Sequence, residues 1–122
     1  MKKWLSLILI FSGMIIPAVW AEPKGYLFIS GGGERPESMM RKFVELAGRF
    51  GSGKIVIFPM ASSTPKETGS GLTAEFKRCG AREVEYHILT RQQALREGSV
   101  KILDGVGGVY FSGGDQSRQM DV

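Results

Sequence analysis

Four short apolar runs, each stopped by glycine, proline or a polar turn, constrain this chain more than any other feature. "GYLFIS" (25–30) runs into "GGG" (31–33), and "KIVIFPMAS" (54–62) is closed by Pro59. "REVEYHILT" (82–90) alternates Val84, Tyr86 and Ile88 against Glu83, Glu85 and His87, and "VGGVYFSGG" (106–114) is the last run. Apolar runs of this length between breakers read as buried strands, and the alternating one as a strand with a wetter face. Between them lie stretches with helical spacing. "RPESMMRKFVELAGRFG" has Pro36 and Glu37 suited to a first turn, Met39, Met40, Phe43, Val44, Leu46 and Ala47 on one face, and Gly51 as a stop. "SSTPKETGSG" reads as a polar turn before a helix in "LTAEFKRCG", and "RQQALREGSV" as a short third helix. The order β-α-β-α-β-α-β predicts an α/β fold, a mostly parallel sheet with helices on both faces. No internal repeat, linker or low-complexity tract interrupts it.

The first 21 residues have a different character. "MKK" is a basic start, "WLSLILIFSGMII" an uncharged apolar stretch, and "VWA" ends on small or tolerated residues before Glu22. This is the pattern of a secretory signal peptide, residues 1–21, cleaved after Ala21, so the mature domain is 22–122 and the product is exported, to a periplasm or outside the cell. The apolar stretch is shorter than the roughly 20 residues a spanning helix prefers, and Gly13 and Pro17 weaken it further, so no stable membrane span is expected after cleavage. The formal charge is +4 from 16 basic and 12 acidic residues, but Lys2 and Lys3 lie in the signal segment. What remains holds no basic cluster, which argues against nucleic-acid binding.

An exported chain can use disulfides, yet Cys79 is the single cysteine and cannot pair within the chain. Placed in "FKRCG" before a helix-capping glycine, it reads as a small buried hydrophobe, and His87, the only histidine, sits on a different element. One Cys and one His make no metal-ligand set, so neither metal nor cofactor is called for. Chemistry in such folds lies at the C-terminal ends of the strands, where two glycine loops fall. In "SGGGERPE", Gly31, Gly32, Gly33 and Glu34 would let backbone N–H groups approach an anion, although Pro36 stands where a dinucleotide fingerprint needs its third glycine. In "SGGDQSR", Gly113 and Gly114 would aim N–H groups outward, Gln116 would present an amide, and Asp115 or Ser117 would cap the next helix. For both loops a plain strand-to-helix turn accounts for the glycines equally well.

Taken together, "SGGGE", "FVELAG", "KIVIFPMAS" with the later "PKETG", "EFKRCGAREVEYHILTR" and "GVGGVYFSGGDQSR" resemble the cyanophycinase branch of the peptidase S51 family, in order and spacing from about Tyr26 onward. The resemblance implies a class I glutamine amidotransferase-like (flavodoxin-like) fold. It also implies a serine exopeptidase that cleaves aspartyl-arginine-type peptide or isopeptide bonds, with a small peptide or polypeptide as substrate. In that family the "GGDQ" loop, here Gly113 to Gln116, neighbours the nucleophile. Its N–H groups help form the oxyanion hole and its Gln lines the pocket. The family's serine elbow, a G-x-S-A-G-like turn, and its His and acidic partners come later than this loop, whereas only Ser117 to Val122 follow it here. The resemblance therefore makes 22–122 the N-terminal half of such a domain, truncated before its nucleophile and inactive alone. Ser112 and Ser117 flank the loop outside any elbow. A different class remains open, a small exported binding module that holds an anionic ligand at the glycine loops, and pairing of copies through an edge strand is allowed.

Overall fold

The structure, a computed structural model, describes residues 24–31 and 33–122; the signal segment and Gly32 lie outside the described residues. Its centre is β1 (Lys54–Phe58), whose side chains are buried from Ile55 onward. On one side β1 pairs in parallel with β2 (Val84–Tyr86), and on the other with β3 (Val106–Phe111), giving the order β2-β1-β3. Each crossover carries helix: α2 (Pro65–Arg78) joins β1 to β2, and α3 (Arg91–Ala94) with a 3-10 helix (Glu97–Leu103) joins β2 to β3. α1 (Glu37–Ala47) precedes the sheet and α4 (Gln116–Met120) follows it. The all-parallel sheet with helical crossovers is the α/β architecture the strand–helix alternation predicts.

α1 and α2 cover one face. Met40, Ala47, Leu72, Phe76 and Cys79 pack there on Ile55, Ile57 and Val84, with Phe43 and Tyr110 closing the cluster. On the opposite face Val56, Phe58 and Met60 meet Leu89, Ile102 and Val122, so its cover is the 3-10 helix and the end of α4. This second cover is thin, and Phe111 remains 60% exposed beside it.

Glycines set how closely α1 and β3 approach. The β1–β3 register slips between Lys54 and Ile55, whose partners are Val106 and Gly108, so Gly107 is bulged out of the ladder. A Cβ on Gly107 would stand 2.2 Å from the Ala47 carbonyl oxygen and 2.5 Å from that of Phe50. The turn after α1 therefore rests on a strand that has no side chain at this point.

Several elements differ from the sequence reading. "GYLFIS" is not a sheet strand: residues 26–30 make no backbone hydrogen bond to β3 and are exposed. Its alternation is nevertheless kept. Tyr26 and Phe28 turn their rings edge-on to Phe50 and Phe43 at centroid distances of 6.0 and 6.1 Å, while Leu27 and Ile29 are 85% and 83% exposed. Aromatic docking on α1 and the turn after it holds the segment, and a cavity separates it from the free edge of β3. α1 ends at Ala47 and is capped by Gly48; Gly51, at φ +51°, belongs to the turn that leads into β1. α2 starts at Pro65, so "PKETG" is helical rather than a turn. Proline at the first helical position and Glu67 in the first turn favour that start. β2 is three residues long, and the third helix shortens to four residues behind a Thr90–Gln93 capping box before tightening into the 3-10 helix.

The two glycines inside α2 do different things. A Cβ on Gly69 would lie 2.5 Å from the Tyr86 ring, so the missing side chain lets the helix rest on β2, whereas Gly71 faces open space. Gly69→Val is therefore expected to lower stability by about 1–3 kcal/mol through overpacking. Gly71→Ala should raise it by about 0.4–1 kcal/mol by restricting the unfolded chain. Denaturant melts of the two variants check the contrast; equal signs would contradict this packing.

Candidate functional site

The chain reverses its direction of travel across the sheet at β1 and β3. After β1 it passes to α2 on one face, and after β3 it passes to α4, beyond which Val122 packs against the cluster of Val56, Phe58 and Met60 on the other. The loops after two neighbouring strands thus part to opposite faces and leave a crevice at the strand C-termini, the usual ligand position in open α/β sheets.

Backbone contacts stitch the two loops together below that crevice. Ser112 N–H donates to the Phe58 carbonyl at 3.1 Å, and Asp115 N–H donates to the Ala61 carbonyl at 2.8 Å. Between them Gly114 takes φ +144°, a conformation side-chain-bearing residues avoid, and its own Cβ would fall 2.1 Å from the Ala61 oxygen. On the facing loop, Ser62 Oγ shares a hydrogen bond of 2.7 Å with Thr68 Oγ1 and accepts from Thr64 N–H at 3.1 Å. The segment 112–115 is thereby pinned at both ends. The N–H groups of Gly113 and Gly114 have no acceptor among the described residues, and both residues are exposed.

Both glycine loops reach one cavity of about 700 Å³, lined by Gly31 and Gly33 on one side and by Ser112, Gly113 and Gly114 on the other. Gly32 lies outside the described residues. Gly33 takes φ +108°. Glu34 is exposed and does not line the cavity; the next residue, Arg35, does. Its guanidinium Nη2 donates to Glu75 Oε2 at 3.0 Å, a partner forty residues away, while its Nε is shielded from solvent with no partner among the described residues. Tyr110 forms part of the same wall. Burial pushes its phenol above the ordinary range, with Arg35 pulling the other way, so it stays protonated and able to donate. Tyr110, Ser112 and Arg35 are not among the site residues that the sequence pattern points to. The available signal for Arg35 was its place between the glycine loop and the helix-starting Pro36.

Ser112 is 9% exposed, and its hydroxyl has no hydrogen-bond partner among the described residues. Leaving a buried hydroxyl unpaired costs about 1–3 kcal/mol. Among the described residues no base hydrogen-bonds to it. His87 follows β2, two strands from β3 and so about 10 Å across the sheet, and its Nε2 lies 3.2 Å from Glu85 Oε2. Glu85, held below the usual carboxylate range by the hydrogen bonds from His87 and Lys54, belongs to a charged ladder on the sheet surface. Cys79 is buried in the core and precedes β2, while His87 follows it, so the two are not brought together.

Asp115 is the N-cap of α4: its Oδ1 accepts from Ser117 N–H at 2.9 Å, which holds the carboxyl below its ordinary range. Gln116, the first residue of α4, is exposed and lies outside the residues that line the cavity. Because the Asp115 carboxyl is depressed in the folded state, its contribution to the cap is complete above the unfolded aspartate pKa. It is lost as pH falls through the folded value. The Ser117 amide resonance should therefore move with acidification below the usual Asp range. In Asp115→Asn, whose side-chain oxygen still caps, that titration should vanish. A Ser117 amide that titrates identically in both proteins would remove the assignment.

Among the described residues no helix is long and apolar enough to cross a membrane. No protein-family model matches this chain, and no curated protein matches it.

Proposed function

We propose that this chain forms the N-terminal half of an exported, cyanophycinase-like serine exopeptidase of the peptidase S51 type, with a class I glutamine amidotransferase-like fold. In this reading Gly113, Gly114, Asp115 and Gln116 are the oxyanion wall of the site. The observation that carries it is the pair of unsatisfied N–H groups at Gly113 and Gly114, held at the switch point of the sheet by the Gly114–Ala61 contact. Acyl transfer needs fixed donors of this kind where negative charge develops on the substrate carbonyl. The order of motifs from Tyr26 to Arg118 supplies the family, and the substrate class follows from it: peptides or isopeptides of the aspartyl-arginine type. The nucleophile, its base and its acid would come from residues beyond the loop, so turnover by these residues alone is not expected.

The test is a fusion. Residues 22–122 are joined to the second half of a peptidase S51 enzyme that carries its serine elbow, and release of arginine from an aspartyl-arginine dipeptide is followed. The expected result is no turnover by the chain alone and serine-dependent turnover by the fusion. A fusion that melts cooperatively yet never turns over contradicts the proposal, as does genuine turnover by the chain alone. The second reading, an anion-binding module, draws on the orphaned Ser112 hydroxyl and Arg35 Nε beside the same cavity.

A further inference from the structure

We infer that the cavity between the two glycine loops contains a carboxylate subsite built from Arg35 and Ser112, with Tyr110 as a neighbouring donor. The subsite deepens the hydrolase reading by adding a binding specificity next to the oxyanion wall, but its evidence is separate. Ser112 is nine-tenths buried, lines the cavity and has a hydroxyl with no partner among the described residues. Arg35 lines the same cavity, and its Nε–H is also shielded and unpaired although Nη2 is engaged by Glu75. Two polar groups without partners at one cavity, one of them a cation's donor and the other a hydroxyl, are complementary to an acceptor with negative charge. A planar carboxylate fits the side of a guanidinium, whereas a cation would be repelled there and an apolar group would leave both orphans unpaired.

The opposite wall of the cavity explains why these groups are covered yet reachable. Residues 26–31 form that wall and make no backbone hydrogen bond to β3, being held by the Tyr26 and Phe28 rings on α1 and by the Arg49–Tyr26 contact. A ligand can move this segment without breaking a sheet ladder. Glu75 is the internal competitor: it already occupies one edge of the guanidinium with a carboxylate, which limits affinity in the free protein.

Either a free carboxylic acid or the C-terminus of a peptide could supply the carboxylate, so two probes are used. The purified chain is titrated by NMR with succinate and with acetyl-glycylglycine, and with succinamide and acetyl-glycylglycinamide as uncharged controls at equal ionic strength. At least one acid should move the Arg35, Ser112 and Gly113 amide resonances saturably, while neither amide does so. A response to succinate alone assigns a free acid, and a response to acetyl-glycylglycine assigns a peptide end. Arg35→Gln should weaken binding by about ten-fold or more, the value of a charge-assisted hydrogen bond. Glu75→Gln should tighten it by freeing the guanidinium. Ser112→Ala removes only an unpartnered oxygen, so its melting temperature should not fall while its affinity does. That variant keeps the test decisive if Arg35→Gln fails to fold. Binding unchanged in Ser112→Ala, equal response to acid and amide, or no saturable response to either acid each overturns the subsite. None of these outcomes bears on turnover by the serine-elbow fusion, so the subsite and the hydrolase reading fail independently.

Discussion

Phe76→Ala should lower the stability of the domain by about 3–5 kcal/mol, the range for deleting a buried aromatic side chain. Phe76 is fully buried and is the ring on which the α-side core turns. Its centroid lies 5.4 Å from that of Phe43 on α1 and 5.2 Å from that of Tyr110 on β3, and Phe43 and Tyr110 themselves meet edge-on at 5.9 Å. Removing the middle ring leaves a void among α1, α2 and the sheet. Small domains hold only about 5–15 kcal/mol in total. With each kcal/mol worth roughly 4–8 °C at this size, the melting temperature should drop by more than 10 °C. Phe76→Leu keeps most of the volume and should cost far less. Thermal and denaturant melts of both variants check this. A Phe76→Ala protein within 1 kcal/mol of the parent, on the order of a surface substitution, would show that this three-ring cluster is not the core.

The same cluster shows how much of the fold the sequence made legible. Ile55 and Ile57 on β1 and Phe43 on α1 sit at the periods a strand and a helix need, so their burial could be anticipated. "GYLFIS" carries an equally good strand pattern and is not one, because a pattern fixes which side chains share a face and leaves open which backbone supplies the hydrogen bonds. Tyr26 and Phe28 have their apolar partners in Phe50, just after α1, and Phe43, within it, and those contacts do not require a ladder with β3. "PKETGSG" looked like a turn because of its glycines. The reason for Gly69 is the Tyr86 ring, seventeen residues away in sequence, and nothing local announces it.

The candidate site divides along the same line. The glycine loops announced themselves, since an apolar run that stops at consecutive glycines marks a strand end, and strand ends are where α/β folds put ligands. That Gly31 and Gly33 share a cavity with Gly113 and Gly114 depends on how residues 26–30 dock beside β3, which spacing alone does not fix. From sequence Asp115 fits both a site residue and a helix cap, and its side chain makes the capping bond. Arg35 could not be paired with Glu75 from sequence, because a local acidic neighbour, Glu34, offered the simpler partner.

Gly114→Val should disable the loop, whereas Gly113→Ala should be tolerated. The two glycines are adjacent and alike in sequence, but their surroundings are opposite. A Cβ on Gly113 meets nothing within 4 Å, while one on Gly114 meets the Ala61 oxygen at 2.1 Å, its carbonyl carbon at 2.5 Å and Ser62 nitrogen at 2.9 Å. All three are backbone atoms, so no side chain can swing aside to relieve the clash, and φ +144° adds its own penalty for a β-branched residue. The loop must lift away from Ala61, which breaks the Asp115–Ala61 hydrogen bond and turns the Gly113 and Gly114 N–H groups out of place. In the serine-elbow fusion, losing an oxyanion donor of this kind should reduce kcat by about 10²–10³, with KM little changed, because the donors act on charge that develops in the transition state. Stability should fall by about 1–3 kcal/mol in Gly114→Val, so the rate is compared well below the variant's melting temperature. Gln116→Ala, at an exposed first-turn position, separates structure from substrate contact: its melting temperature should be unchanged, and a fall in kcat/KM would then report the amide it offers the substrate. If folded Gly114→Val turns over within a few-fold of Gly113→Ala, the loop merely joins a strand to a helix, and the oxyanion wall must be sought elsewhere.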